Sequence, residues 1–224
     1  MMTIHRFIEQ GILNINKPED WTSYDVVRKI KKLTRIQKVG HAGTLDPFAT
    51  GVLLLALEKA TKQISALMDL EKEYIGRIEL GVVTDSLDVT GKVLQTYPTY
   101  KLTPTAIEKT CKAFIGEIEQ VPPAYSAVKI NGVRAYQLAR AGKAVPLKPR
   151  RIKILELAIL DIQIPFVTIK VVCSKGTYIR ALARDIGEKL NTGGYLKSLV
   201  RTRIGQYRIE DALTIEQIER MARF

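Results

Sequence analysis

From residue 151 to residue 190 the hydrophobic repeat of this chain changes period once, and that change limits the folds open to it. Residues 151 to 164 and 166 to 173 alternate as two strands, broken only at Pro165, where a proline cannot continue a ladder. After Ser174-Lys175-Gly176 the period becomes helical, with Ile179, Leu182, Ala183, Ile186 and Leu190 on one face. Two strands in direct succession leave no crossover helix between them. Elsewhere the same mixture recurs. Residues 23 to 35 read as a helix capped by Ser23, with Val26, Val27, Ile30 and Leu33 facing the core. KEYIGRIELG, 72 to 81, reads as a strand with Tyr74, Gly76, Ile78 and Leu80 on one face, and 88 to 94 as its hairpin partner. A helix is expected from Thr103 and Pro104 to a stop at Gly116, and Thr214 with Gln217 forms a capping box for a terminal helix. The expected class is α/β of the mixed, α+β kind rather than a doubly wound parallel sheet.

The charge balance points to a polyanionic partner, nucleic acid first and an anionic membrane second. There are 35 Lys and Arg against 23 Asp and Glu, a net charge of +12. Three windows hold no acid: 28 to 38, 120 to 155 and 189 to 209. A solvated face normally mixes both signs, so the three windows are read as one footprint for a phosphate backbone. The stretch 121 to 149, rich in Pro, Gly and basic residues, is expected to be an arm that grips this partner. Two distant cysteines, Cys111 and Cys173, and two histidines, His5 and His41, offer neither a disulfide framework nor metal spacing. The N-terminal segment lacks the apolar core of a signal peptide, and no apolar run reaches the length of a membrane span, so a cytoplasmic protein is expected.

No phosphate-binding glycine loop, dinucleotide fingerprint or nucleophile elbow is present. Asp, Tyr, Arg and His remain as candidate chemical groups. The stretch VGHAGTLDPFATGVL, 39 to 53, concentrates them. Asp46-Pro47 ahead of an apolar run reads as a helix cap followed by a first-turn proline, or as a catalytic carboxylate.

Five blocks carry a resemblance: NKPEDWTSYDVV (16 to 27), KVGHAGTLDPFATGVL (38 to 53), KEYIGRIELGVVTDSLDVTG (72 to 91), PPAYSAVKINGVRAYQLAR (122 to 140) and CSKGTYIRALARDIG (173 to 187). They stand in the order seen in TruB-type tRNA pseudouridine synthases, which the chain resembles from about Gly11 to Leu213. The resemblance implies the pseudouridine synthase fold, a mostly antiparallel central sheet flanked by helices, in a single catalytic domain over 1 to 224. It implies isomerisation of uridine 55 in the T loop of tRNA by a monomer, with no cofactor, metal, guide RNA or protein partner. Asp46 matches the catalytic aspartate, Arg180 the arginine paired with it, and Tyr74 the pocket tyrosine. Tyr178 and Leu199 match residues lining the uracil pocket. His41 matches the histidine that fills the space of the flipped nucleotide, and Lys17 supports the loop or contacts phosphate. Arg150 and Arg151 are expected on the RNA backbone. On pattern alone, core packing is the favoured reading for Tyr74 and equally natural for Tyr178 and Leu199, and Asp85 and Asp88 read as structural turn residues. The family's Gly after Lys-Pro-x is Asp20 here, a position expected to need positive φ. The C-terminal PUA domain of many members has no room before Phe224. A guide-RNA-dependent relative and a catalytically idle RNA-binding protein are the competing readings.

Overall fold

The computed structural model describes residues 11 to 222 apart from 131; the N-terminal segment with His5 lies outside the described residues. In chain order the elements are β1 (Ile12–Lys17), α1 (Ser23–Thr34), β2 (Val39–His41) and β3 (Thr50–Leu57). Then follow α2 (Ile64–Asp69), β4 (Lys72–Leu80), β5 (Val82–Thr84), β6 (Val93–Thr96), α3 (Pro104–Lys112) and β7 (Gly116–Gln120). The arm holds β8 (Lys129–Ile130), β9 (Val133–Arg134) and α4 (Ala135–Arg140), and leads into β10 (Arg150–Gln163) and β11 (Phe166–Cys173). The chain closes with α5 (Ile179–Lys189), β12 (Gly194–Ile204), β13 (Tyr207–Arg208) and α6 (Ile215–Met221). Among the described residues no helix is long and apolar enough to cross a membrane.

The chain divides into two compact units, one of residues up to Tyr74 together with Leu199 onward, the other Ile75–Ser198. The boundary falls inside β4 and inside β12. In the first unit the strand order is β1-β3-β12, with β2 also on β3 and β13 on β12. All these pairs are antiparallel except β12 with β3, which run parallel at Val200–Thr50 and Arg201–Gly51. β3 is buried on both faces. Leu53, Leu55 and Leu57 join Leu13, Ile15, Val26, Val27, Ile30, Ile215 and Ile218 in one core, while Val52 and Leu54 join Ala42, Leu67 and Ile204 in another. A strand covered on both faces is apolar at every position, which is why this run lacks an alternating pattern. In the second unit the order β4-β11-β10-β7 is carried by antiparallel pairs of β10 with β11 and with β7. The expected mixed α/β class stands.

Several local expectations need correction. The apolar run after Asp46 is the strand β3, not a helix, so Asp46 is not a helix cap. Its carbonyl instead accepts the Ala49 N–H at 3.1 Å, closing a turn with Pro47 and Phe48 at its centre. Asp at the first and Pro at the second position suit that turn as well as they suit a helix start. The cap of α1 is Thr22, in a capping box with Asp25; Ser23 is buried one residue further on. β6 pairs with β5, not with β4. α3 ends at Lys112, and Gly116, with φ +109°, opens β7 instead of stopping the helix. The alternation of β4, the Thr103 cap and the Thr214–Gln217 box are as expected.

Candidate active site

The segment from Ala42 to Ala49 is irregular backbone between β2 and β3, and its conformation is held by side chains from three other elements. Ala42, Leu45, Phe48 and Ala49 turn inward and are buried. Ser23, on α1, accepts the Leu45 N–H at 2.9 Å and donates back to the Leu45 carbonyl at 3.2 Å. Arg201, on β12, is 1% exposed and spends its guanidinium on backbone. Its Nε donates to the Val52 carbonyl at 2.6 Å, and its Nη atoms to Thr44 at 3.4 Å and Gly43 at 3.3 Å. Gly51 makes this approach possible: its φ is +102°, and a Cβ there would lie 2.2 Å from the Arg201 carbonyl oxygen.

Lys17, the last residue of β1, is fully buried. Its Nζ donates to the carbonyls of Pro18 at 2.7 Å, Trp21 at 2.6 Å and Pro47 at 3.0 Å. Three protons meet three acceptors, so the ammonium ties the 18–21 turn to the residue beside Asp46. Burial pushes its pKa down to about 8, partly opposed by the negative charge of Asp46. In that turn Asp20 sits at φ +62°, the left-handed conformation expected of this position.

His41 ends β2 opposite Leu55 and is half-buried. Its Nδ1 is buried without a hydrogen-bond partner among the described residues. Burial holds the imidazole below its usual pKa, with the Gly43 backbone opposing and the Arg201 charge reinforcing the shift. The ring is therefore neutral at pH 7. Tyr74 and Leu199 are buried members of the same unit, on β4 and β12.

Arg180 and Tyr178 belong to the other unit, at the start of α5. Arg180 is 4% exposed, not a surface residue. Its guanidinium donates to the carbonyls of Ser86 at 2.8 Å and Tyr125 at 2.9 Å and lies 3.4 Å from the Asp88 carboxylate. Asp88 also accepts from Ser86 Oγ and from the backbone and hydroxyl of Thr90, which makes it the turn residue expected and an ion-pair partner as well. The Tyr178 backbone is clasped by the buried Gln120 side chain, which accepts its N–H at 2.8 Å and donates to its carbonyl at 3.1 Å.

Of the three acid-free windows, the last offers less free cationic surface than expected: Lys189 and Arg208 are exposed, but its other three cations are committed. Arg201 is internal, Arg203 pairs with Glu71 at 2.7 Å, and Lys197 pairs with Glu79 at 3.2 Å. The acids stand on or beside β4, so neighbouring strands supply counter-charges that the local sequence lacks. The middle window remains open. Lys129, Arg134, Arg140, Lys143, Lys148, Arg150, Arg151 and Lys153 are all exposed, and none has an acidic partner among the described residues. Arg201 and Gln120 are the site residues that sequence reading passed over. Nothing near Arg201 in sequence signals its role, since its acceptors lie some 150 positions earlier.

Comparison with known proteins completes the description. Two family models match, "TruB family pseudouridylate synthase (N terminal domain)" over residues 31–179 and "tRNA pseudouridylate synthase B C-terminal domain" over 180–224. A protein of Bacteroides fragilis named tRNA pseudouridine synthase B is 50% identical over 217 residues, covering 92% of this chain and 91% of its own. The protein of that name from Clostridium tetani is 47% identical over 208 residues, covering 93% of this chain and 72% of its own. Among solved structures, a chain of a Cbf5-Nop10-Gar1 complex superposes with a TM-score of 0.74 at 32% identity, over 99% of this chain and 61% of its own. An archaeal box H/ACA Nop10-Cbf5 complex gives 0.73 at 30%, over 100% of this chain and 57% of that one. On these matches, which together with the anchored aspartate loop span nearly every described residue, the chain belongs to the TruB family of pseudouridylate synthases.

Proposed function

We propose that this chain isomerises a uridine of tRNA to pseudouridine, at position 55 of the T loop, with Asp46 as the nucleophile. The observation that carries the proposal is the clamping of the Asp46 loop. Lys17, Ser23 and Arg201 fix its backbone from three elements, and a buried ammonium stands within electrostatic reach of the carboxylate. A nucleophile held before substrate arrives needs no reorganisation at the moment of reaction. The relatives at 44 to 50% identity all carry the name tRNA pseudouridine synthase B, which favours tRNA over a guided substrate.

The bond changes balance within the nucleotide. The N1–C1′ bond breaks, the uracil turns, and C5 bonds to C1′; a proton leaves C5 and one is gained at N1. Asp46 supplies the electron pair, and Tyr74, Arg180, Tyr178 and Leu199 complete the catalytic and uracil-binding set. Lys17 acts as the post of the loop, a role supported by its three carbonyl acceptors rather than by any free proton for phosphate. Flipping the target base from the T arm costs a few kcal/mol. His41, neutral and with an unpartnered Nδ1, suits the space the base vacates. The arm over 121–149 with Arg150 and Arg151 meets the phosphate backbone, and the chain acts in the cytoplasm as a monomer without cofactor or guide RNA.

The test is incubation with an unmodified tRNA transcript, followed by mapping pseudouridine through carbodiimide-dependent reverse-transcription stops. A stop at the T-loop uridine, lost in Asp46→Asn while RNA is still bound, is the expected result. Salt-sensitive binding with no stop would leave an RNA-binding protein and remove the catalytic assignment of Asp46.

A further inference from the structure

A cavity of about 530 Å³ opens between the Asp20 turn and α1, lined by Asp20, Trp21, Asp25, Arg28, Lys29 and Lys32. The residues assigned to the reaction do not line it. Its volume falls within the range of small-ligand sites. Trp21 packs partly against the core of the first unit and gives its remaining surface to the cavity. Three of the lining charges already have partners, Arg28 through Asp25, although the Arg28 side chain stays largely exposed. Asp25 accepts from the Thr22 backbone at 3.0 Å, the Thr22 hydroxyl at 2.6 Å and Arg28 at 2.9 Å, and Lys29 is paired with Glu219. Lys32 is exposed with no acidic partner among the described residues, and the Arg28 side chain is 73% exposed. Tyr24, 68% exposed, and the exposed Lys31 and Arg35 continue the same outer surface of α1 at helical spacing.

An aromatic wall flanked by cations at one-turn intervals has a matching ligand chemistry. A nucleobase stacks on the ring while the phosphates on either side meet the cations. An acidic peptide would satisfy the cations but leave the indole without a flat partner.

We propose that this cavity is a second RNA subsite, which takes one unpaired nucleotide with its base on Trp21 and its phosphates at Arg28 and Lys32, the strand continuing past Lys31 and Arg35. The inference rests on the proposed function only in taking RNA as the partner. Asp20 opposes the phosphates and confines them to the α1 side of the opening.

Trp21 is the single tryptophan of the chain, so tryptophan emission, excited at the red edge where the 9 tyrosines do not absorb, reports this cavity alone. The experiment is titration of the full chain with heptaadenylate, which contains no uridine and is no substrate for the isomerisation. Saturable quenching is expected, weakening as salt rises. Lys32→Glu should raise the dissociation constant about tenfold at low salt. Quenching should persist in the presence of a saturating T-arm hairpin whose uridine has already been converted. Absence of quenching, quenching indifferent to Lys32→Glu, or displacement by the hairpin would each overturn the subsite. Conversion of an unmodified hairpin by the same preparation reads the proposed function separately, so either can fail alone.

Discussion

Replacing Lys17 with methionine puts the anchoring of the Asp46 loop to a quantitative test. The side chain is fully buried and makes three hydrogen bonds to carbonyls. At about 1.5–3 kcal/mol for each bond from a charged donor, their loss costs roughly 5–9 kcal/mol. Against this stands the cost of burying the ammonium. A pKa lowered from 10.5 to about 8 corresponds, at about 1.4 kcal/mol per unit, to roughly 3 kcal/mol that methionine does not incur. The difference leaves a destabilisation of about 2–6 kcal/mol at pH 7, on the order of 5–20 °C in Tm for a chain of this size. The pH dependence gives a second, sharper reading. Below pH 8 Lys17 is protonated in both folded and unfolded states. Between pH 8 and 10.5 the unfolded chain binds the extra proton, so wild-type stability relative to Lys17→Met rises with pH through that window. Urea unfolding of both proteins at pH 7, 8, 9 and 10 measures the margin. A loss under about 1 kcal/mol at pH 7, or a margin that narrows from pH 8 to 10, would refute the reasoning.

Gly51→Ala should destabilise by about 3 kcal/mol, because the new methyl meets the Arg201 carbonyl and the backbone is held at positive φ; thermal unfolding checks it, and a shift below about 2 °C contradicts the close approach. Arg150→Ala with Arg151→Ala should lower the slope of log affinity against log salt by about 1–2, with conversion of saturating RNA retained; an unchanged slope removes β10 from the RNA footprint. His41 is held neutral in the folded state, so acidification below 6.5 protonates the unfolded chain first and stability falls. His41→Phe should lessen that acid-side loss, and parallel unfolding curves for both proteins down to pH 5 would contradict it.

What could be read from the sequence was whatever depends on neighbours a few residues away. The burial of Tyr74, Ile78 and Leu80 on one face follows from a period of two, and the Thr214 box from a four-residue pattern. Asp20 at positive φ followed from one substituted glycine. The run from Gly51 to Leu57 misled because a strand buried on both faces has no period to display, and Asp-Pro opens turns as readily as helices. Arg201 was invisible for a different reason. Its partners are backbone carbonyls, which every residue carries, so nothing in their side chains announces them. The charge of the last window was misjudged because Glu71, Glu73 and Glu79 reach it only through strand pairing.

The parallel pairing of β12 with β3 also sets a timetable. Arg201 follows Val52 by 149 residues, which at ribosomal rates is about 7–30 s of elongation. Throughout that interval a nascent chain already carries Asp46, Lys17 and Ser23, but the guanidinium that holds Gly43 and Thr44 has yet to be made. The Asp46 loop is therefore completed only once residue 201 has emerged, and a ribosome stalled before that point holds a chain whose aspartate is present and whose clamp is not.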